Sequence, residues 1–185
     1  MKNFDKKRIC VVGAGNWGQN HIKTLHSLDC LYGVVDNNEI LLEKVKKNYS
    51  NCSIFINVDD AIMTGFDGYI IATNASSHFS IAKKLIKSKN HILIEKPMTL
   101  NTKDSKELCQ LAHENKVNLM VGHLLLFHPA FNKIKSMLDE GFIGKLQYMY
   151  SNRLNFGTIR SDENVFWSFA PVSYTHLTLP TTPYV

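Results

Sequence analysis

The chain has 185 residues, 44% of them apolar and 20% charged, the balance of a folded globular protein and enough for one domain of ordinary size plus part of another. Its formal charge of +5 comes in short pieces such as Lys6-Lys7-Arg8 and Lys44 with Lys46 and Lys47, which read as solvated helix faces rather than a nucleic-acid surface and suit anionic small substrates. A polar start at residues 1–8 and an apolar run of only residues 9–12 exclude a secretory or membrane-spanning segment there, and Cys10, Cys30, Cys52 and Cys109, with no C-x-x-C pair, read as reduced thiols without a metal site, so the expectation is a cytoplasmic protein with no membrane partner.

Taken in order, the pattern alternates strand and helix. Residues 8–12 are a β-rich run ending at glycine, and residues 17–28 carry Ile22, Leu25 and Leu28 at helical spacing. Residues 31–35 read as a strand ending at Asp36. A helix follows over 38–49 with Ile40, Leu41 and Val45 inward, then a short strand at 53–56 and a brief helix at 58–64 before Gly65. Next come a strand at 69–72, an amphipathic helix at 77–89 capped by Ser76 or Ser77, and a strand at 91–94. Asn101 is the expected N-cap of a helix reaching about residue 115, with Asp104 in its first turn, and 117–121 is the last strand of the series. Near-continuous apolar strands between helices predict a parallel sheet covered on both faces, a doubly wound α/β Rossmann-type fold.

After Gly122 the pattern changes. A helix is predicted at 128–140, stopped by Gly141, and residues 145–155 alternate as a longer strand suited to an antiparallel or mixed sheet. The expected organisation is a dinucleotide-binding domain over 1–122 and the start of an α+β substrate domain over 123–171.

Gly13-x-Gly15-x-x-Gly18 follows a strand and opens a helix. In that context Gly13 serves the tight turn, Gly15 lets backbone approach a pyrophosphate, and Gly18 lets helix pack on sheet. Asn16 and Trp17 lie at the same helix start, where free N–H groups and the dipole favour phosphate. Asp36, at the next strand end, is placed to accept hydrogen bonds from ribose hydroxyls and to oppose a 2′-phosphate, which selects NAD over NADP. A turn serving packing alone, or a ligand such as S-adenosylmethionine, stays open on the glycines by themselves. Two further loops follow carboxyl ends of strands, where such sheets bind ligands. They hold Thr73, Asn74 and His78, and then Glu95-Lys96-Pro97. Lys96 reads either as a surface lysine or as a cation facing the nicotinamide, its direction restricted by the proline after it.

Gly13-x-Gly15-x-x-Gly18, Asp36, Thr73-Asn74 with His78, and Glu95-Lys96-Pro97, in this order, resemble the Gfo/Idh/MocA family of NAD(P)-dependent sugar and polyol oxidoreductases. The resemblance runs from Ile9 to about Pro171. It implies a Rossmann domain joined to a C-terminal α/β domain that forms the substrate floor and often a homo-oligomer interface. It also implies that Lys96 orients the reacting hydroxyl while hydride passes to NAD, with Thr73, Asn74, His78 and Glu95 among the cofactor contacts. A non-catalytic NAD-binding sensor or scaffold remains the other reading.

His123, His128, Arg153, Asn155, Arg160 and Trp167, with their neighbours, are similar to the bacterial members of the family that oxidise C3 of UDP-N-acetylglucosaminuronic acid. On that likeness the partner is a sugar nucleotide, with Lys96, His123, Arg153, Asn155 and Arg160 as substrate-binding candidates, since arginine suits planar oxyanions; by themselves Arg153, Asn155 and Arg160 read equally as a polar solvent face, and His123 as the end of a strand. His123 and His128 lack the spacing of a metal site. Residues 172–185 have no helical period and resemble the in-frame translation of a transposase sequencing adapter, so they are expected to be foreign to the protein. The family's general acid-base histidine would fall where Val172 stands, and His176 does not inherit that role. The expectation is an inactive piece of a dehydrogenase, with apolar surface and strand edges left open to association.

Overall fold

A computed structural model describes residues 6–145 together with 147, 148 and 150. The chain divides into two compact units, Met1–Val121 and Gly122–Val185. In the first, six strands form one sheet: β1 (Ile9–Val12), β2 (Leu31–Val35), β3 (Ser53–Phe55), β4 (Gly68–Ile71), β5 (His91–Ile94) and β6 (Leu119–Val121). Their spatial order is β3-β2-β1-β4-β5-β6, and every neighbouring pair is parallel. Between them run α1 (Asn16–Ser27), α2 (Glu39–Asn48), α3 (Val58–Thr64), α4 (Ala75–Lys87) and α5 (Thr102–Asn115).

The alternation of side chains along a strand sorts the core into two layers. Val11, Val34 and Ile70 pack with Ile22 of α1 and with Leu42 and Val45 of α2. Cys10, Val12, Ile71 and Ile94 point to the other face, against Ala61 of α3, Leu85 and Ile86 of α4, and Leu108 of α5. Both faces are therefore covered, which is why the strands are apolar without interruption. The chain winds one way from β1 and the other way after crossing to β4. This is the doubly wound parallel sheet expected, and the strand order is that of a Rossmann fold.

Three details differ from the expectations. Ile40 is 68% exposed and Leu28 62% exposed, while Leu42 is buried at 2%. Asn38 caps α2 by accepting from the N–H groups of Ile40 and Leu41, and from that start the face toward the sheet carries Leu42 and Val45. Helix α4 begins at Ala75, earlier than the serines predict, and its N-cap is Asn74 without a side-chain bond. Ser77 instead donates to the Thr73 hydroxyl at 2.7 Å and the Asn74 carbonyl at 2.8 Å, inside the first turn. Asn101 does cap α5, its Oδ1 accepting from Asp104 N–H at 2.8 Å, and Asp104 Oδ2 accepts in return from Asn101 Nδ2 at 2.6 Å.

In the second unit a 3-10 turn at Leu124–Phe127 leads to α6 (Pro129–Asp139). His128 caps α6, with Pro129 at its first turn. Gly141 follows at φ 70°. Most of the strand expected over 145–155 and all of residues 172–185 lie outside the described residues.

Candidate functional site

Where the strand order reverses between β1 and β4, the carboxyl ends of the strands diverge and leave a crevice. A cavity of about 510 Å³ fills it, walled by Val12 and Gly13 after β1, Val35 and Asp36 after β2, and Ala72 and Thr73 after β4. Gly13 turns at φ 100°, and a Cβ there would meet the Ala72 carbonyl carbon and oxygen at 2.8 Å. A Cβ on Gly18 would stand 1.8 Å from the Gly13 carbonyl oxygen, so α1 lies directly on the turn. Gly15 is different: a Cβ would meet nothing within 4 Å, yet the residue lines the cavity. Its bare backbone leaves room for a ligand rather than for the protein.

The helix starts around this crevice are of two kinds. Asn38 and Asn57 cap α2 and α3, which also carry Glu39, and Asp59 with Asp60, in their first turns. Helices α1 and α4 have no side-chain cap and no first-turn acid. Their leading N–H groups and positive dipole ends are thus left for an anion. Opposite them Asp36 is held in place by backbone. Its Oδ2 accepts from Ala14 N–H at 2.6 Å and its Oδ1 from Asn38 N–H at 2.8 Å. A carboxylate has about four acceptor sites, so each oxygen keeps capacity for a hydroxyl.

The second cluster lies one strand along. Glu95 continues β5, its N–H donating to the Ile71 carbonyl at 2.9 Å, and it is only 7% exposed. Its Oε1 lies 2.7 Å from His21 Nε2 of α1, and its Oε2 accepts from the Lys96 N–H at 3.2 Å. The Lys96–Pro97 peptide bond is cis. The Pro97 carbonyl lies 2.9 Å from Nδ1 of the buried His78, whose Nε2 lies 3.0 Å from the Thr73 carbonyl. One imidazole ring therefore lies between the Lys96 turn and the cavity wall, and in its neutral form it donates its single N–H to one of these two carbonyls.

Of the residues singled out in the sequence, Gly13, Gly15, Asp36, Thr73 and Asn74 wall the cavity. Asn16 and Trp17 are exposed in the first turn of α1, and Gly18 is buried under it. Glu95 and His78, the other two expected cofactor contacts, are both buried, with polar atoms within hydrogen-bond distance of His21, Lys96 N–H, Thr73 and Pro97. Lys96 is half-buried in the turn between them. His123 is half-buried in the second unit, and Arg153, Asn155 and Arg160 lie outside the described residues. The sequence reading missed Asn37, Ile56 and Asn57 on the wall, although the rule that ligands sit past carboxyl ends of strands points to the ends of β2 and β3. It also missed His21, which no spacing separates from an ordinary helix histidine such as His26. Among the described residues no group of His, Cys, Asp or Glu could hold a metal ion, and no helix is long and apolar enough to cross a membrane.

The glycine turn, the open helix ends and the Asp36 carboxylate together form a site suited to a dinucleotide. Residues 7–123 match the family model GFO_IDH_MocA, described as an oxidoreductase family with an NAD-binding Rossmann fold. The chain belongs to this family, and the residues in the crevice fit NAD. A packing-only turn and a different nucleotide-like ligand are thereby set aside. Over 147 residues the chain is 33% identical to UDP-N-acetylglucosamine 3-dehydrogenase of Acidithiobacillus ferrooxidans, covering 80% of this chain and 45% of that protein. Its fold superposes at a TM-score of 0.72 and 25% identity on GenD2 from gentamicin A biosynthesis in complex with NAD, covering 77% of this chain and 41% of that one. At 0.71 and 24% identity it matches the WlbA dehydrogenase of Bordetella pertussis in complex with NADH and UDP-GlcNAcA, covering 75% and 43%, a likeness of fold. The chain spans less than half the length of these relatives.

Proposed function

We propose that this chain is part of an NAD-dependent dehydrogenase of a sugar nucleotide, and that the whole protein oxidises a ring hydroxyl, C3 of a UDP-N-acetylhexosaminuronate, to the ketone, whereas these 185 residues alone are inactive. The observation that carries this reading is the placement of Lys96: His78 lies between its turn and the Thr73 wall of the dinucleotide cavity. When bound in this crevice, NAD would supply the hydride acceptor, at nicotinamide C4. The residues of the chain supply the rest. Asp36 takes the ribose hydroxyls and disfavours a 2′-phosphate, and the starts of α1 and α4 take the diphosphate. Lys96 stands beside the reacting hydroxyl, where a cation favours the deprotonated oxygen. Lys96 would hold the oxygen while its proton passes to solvent, so that oxidation of the alcohol to the ketone would release one proton along with the hydride that bound NAD would accept.

The sugar-nucleotide class is supported by the 33% identity to a UDP-N-acetylglucosamine 3-dehydrogenase. On this reading His123, Arg153, Asn155 and Arg160 face the substrate, from a substrate domain beginning at residue 123, and the protein works as a homo-oligomer in the cytoplasm. The test is formation of NADH from NAD by the whole protein with a panel of UDP-sugars. Lys96→Met is expected to lower kcat by about 100-fold or more with NAD affinity unchanged. A whole protein that binds NAD but turns over no UDP-sugar would instead be a non-catalytic sensor or scaffold.

A further inference from the structure

We propose that His21 and His78 are positioning residues that set the Lys96 turn from its two sides and couple it to the two open helix ends of the cofactor cavity. The proposal rests on Lys96 acting at the reacting oxygen, since only then does its placement govern a rate. A lysine side chain is long and flexible, so where its amine goes depends on how firmly its own backbone is held. Here the residue before it and the residue after it are each fixed by one imidazole. Glu95 is fixed through its carboxylate by His21 at 2.7 Å, and Pro97 through its carbonyl by His78 at 2.9 Å.

The origins of the two histidines give the arrangement its meaning. His21 belongs to α1 and His78 to α4, the two helices whose N-termini lack a side-chain cap and a first-turn acid. His21 lies within two turns of Gly15. His78 lies in the first turns of α4, and its second nitrogen meets the carbonyl of Thr73, itself on the cavity wall. Any adjustment of either helix start on the cofactor's phosphates is therefore passed through one rigid ring to a flank of Lys96. Glu95 adds a second link on the same side, because its other oxygen accepts from the Lys96 N–H at 3.2 Å. The side chains of the His21–Glu95 pair are 19% and 9% exposed. A carboxylate so enclosed needs its donor, and removing the donor leaves it to find another position.

The alternative is that both histidines only satisfy buried polar groups. Amide exchange on the 185-residue chain separates the two, with Lys96 N–H as the reporter and Ile92 N–H, in β5, as the reference. In His21→Leu the Lys96 amide is expected to exchange about tenfold faster or more, with Ile92 changed by less than about threefold, since one hydrogen bond at a local site has been lost. His21→Gln, which keeps a donor at the Nε2 position, is expected to restore the slow rate. His78→Asn places an amide nitrogen near the Nδ1 position and keeps the Pro97 contact, so Lys96 stays slow. His78→Gln places it near Nε2, keeps only the Thr73 contact and releases Lys96.

The Asn and Gln forms retain polar side chains of similar size, so they decide the matter even where a leucine variant does not fold. Equal acceleration of Lys96 and Ile92, no effect at Lys96, failure of His21→Gln to restore it, or identical behaviour of the two His78 amide variants would each overturn the proposal. Exchange does not depend on turnover. If Lys96→Met leaves dehydrogenase activity intact, the proposed function fails while the clamp is still measured.

Discussion

The three glycines of the crevice look alike as a motif and differ in physical role. Gly18 has the Gly13 carbonyl 1.8 Å from where a Cβ would be, whereas Gly15 has nothing within 4 Å. Gly18→Ala is therefore expected to destabilise the fold by about 3 kcal/mol, since backbone rather than a flexible side chain must give way. Gly15→Ala should change stability by less than about 0.5 kcal/mol but weaken NAD about tenfold or more, because the methyl enters the cavity that Gly15 lines. Thermal melting and NAD titration of the two variants check this, and equal loss of stability in both would contradict it. Asp36→Asn keeps the shape and removes the charge, so the ratio of NADP to NAD affinity is expected to rise about tenfold. The ratio is the right readout, because damage to the Ala14 and Asn38 bonds affects both cofactors. The glycines, Asp36 and the Lys96 turn were legible because each sits at a strand end in a fixed order. The buried placement of His78 and Glu95, and the partner His21, were not: they depend on which side chains meet across α1, α4 and β5, and a one-dimensional pattern does not carry that.

Among the elements, the helix starts divide by use. Asn101 caps α5 with a reciprocal pair to Asp104, away from the cavity, and Asn101→Ala is expected to cost about 1 kcal/mol without altering NAD affinity. Introducing an acid at the open start of α1 should do the reverse. Asn16→Asp favours the helix dipole by a few tenths of a kcal/mol and repels the cofactor phosphates, so melting temperature holds while NAD affinity falls. An NAD affinity that survives Asn16→Asp would argue against phosphate at this helix end. The cap of α5 was legible because Asn101 and Asp104 make a local signal. The start of α4 was misplaced because Ser76 and Ser77 carry the same cap chemistry as Asn74, and only the bond from Ser77 to the Thr73 hydroxyl shows that the serines already lie within the helix. The inward face of α2 was shifted for a related reason: Ile40, Leu41, Leu42 and Val45 offer more apolar positions than the sheet can cover, and the Asn38 cap sets which of them turn in.

For the molecule as a whole, the doubly wound sheet was legible because burial on both faces writes continuous apolar runs into every strand. The same double burial gives a test of whether the sheet opens as one body. Cys10 lies in the layer under α3, α4 and α5, and Cys52 in the layer under α1 and α2. Both are nearly inaccessible, while Cys109 is exposed. Burial pushes the Cys52 thiol up to about 11 from an ordinary value of 9.0, and burial raises the Cys10 thiol and the Tyr69 phenol as well. The folded state thus keeps these protons to higher pH than the unfolded chain does. For Cys52 the contribution to stability is complete below pH 9.0 and is lost as pH rises through about 11, and Cys10 and Tyr69 act in the same direction. Melting temperature should accordingly fall across that window, and a flat profile would mean the thiols are not buried in solution. At neutral pH an alkylating reagent should take Cys109 at once and Cys10 and Cys52 only as the structure opens. Cys52 adjoins the edge strand β3, whereas Cys10 is in central β1. Equal labelling rates at the two thiols are expected if α1–α5 and the sheet unfold as a single cooperative body. Faster labelling of Cys52 alone would show that the β3 edge, which borders the crevice through Ile56 and Asn57, opens before the layer that holds Cys10.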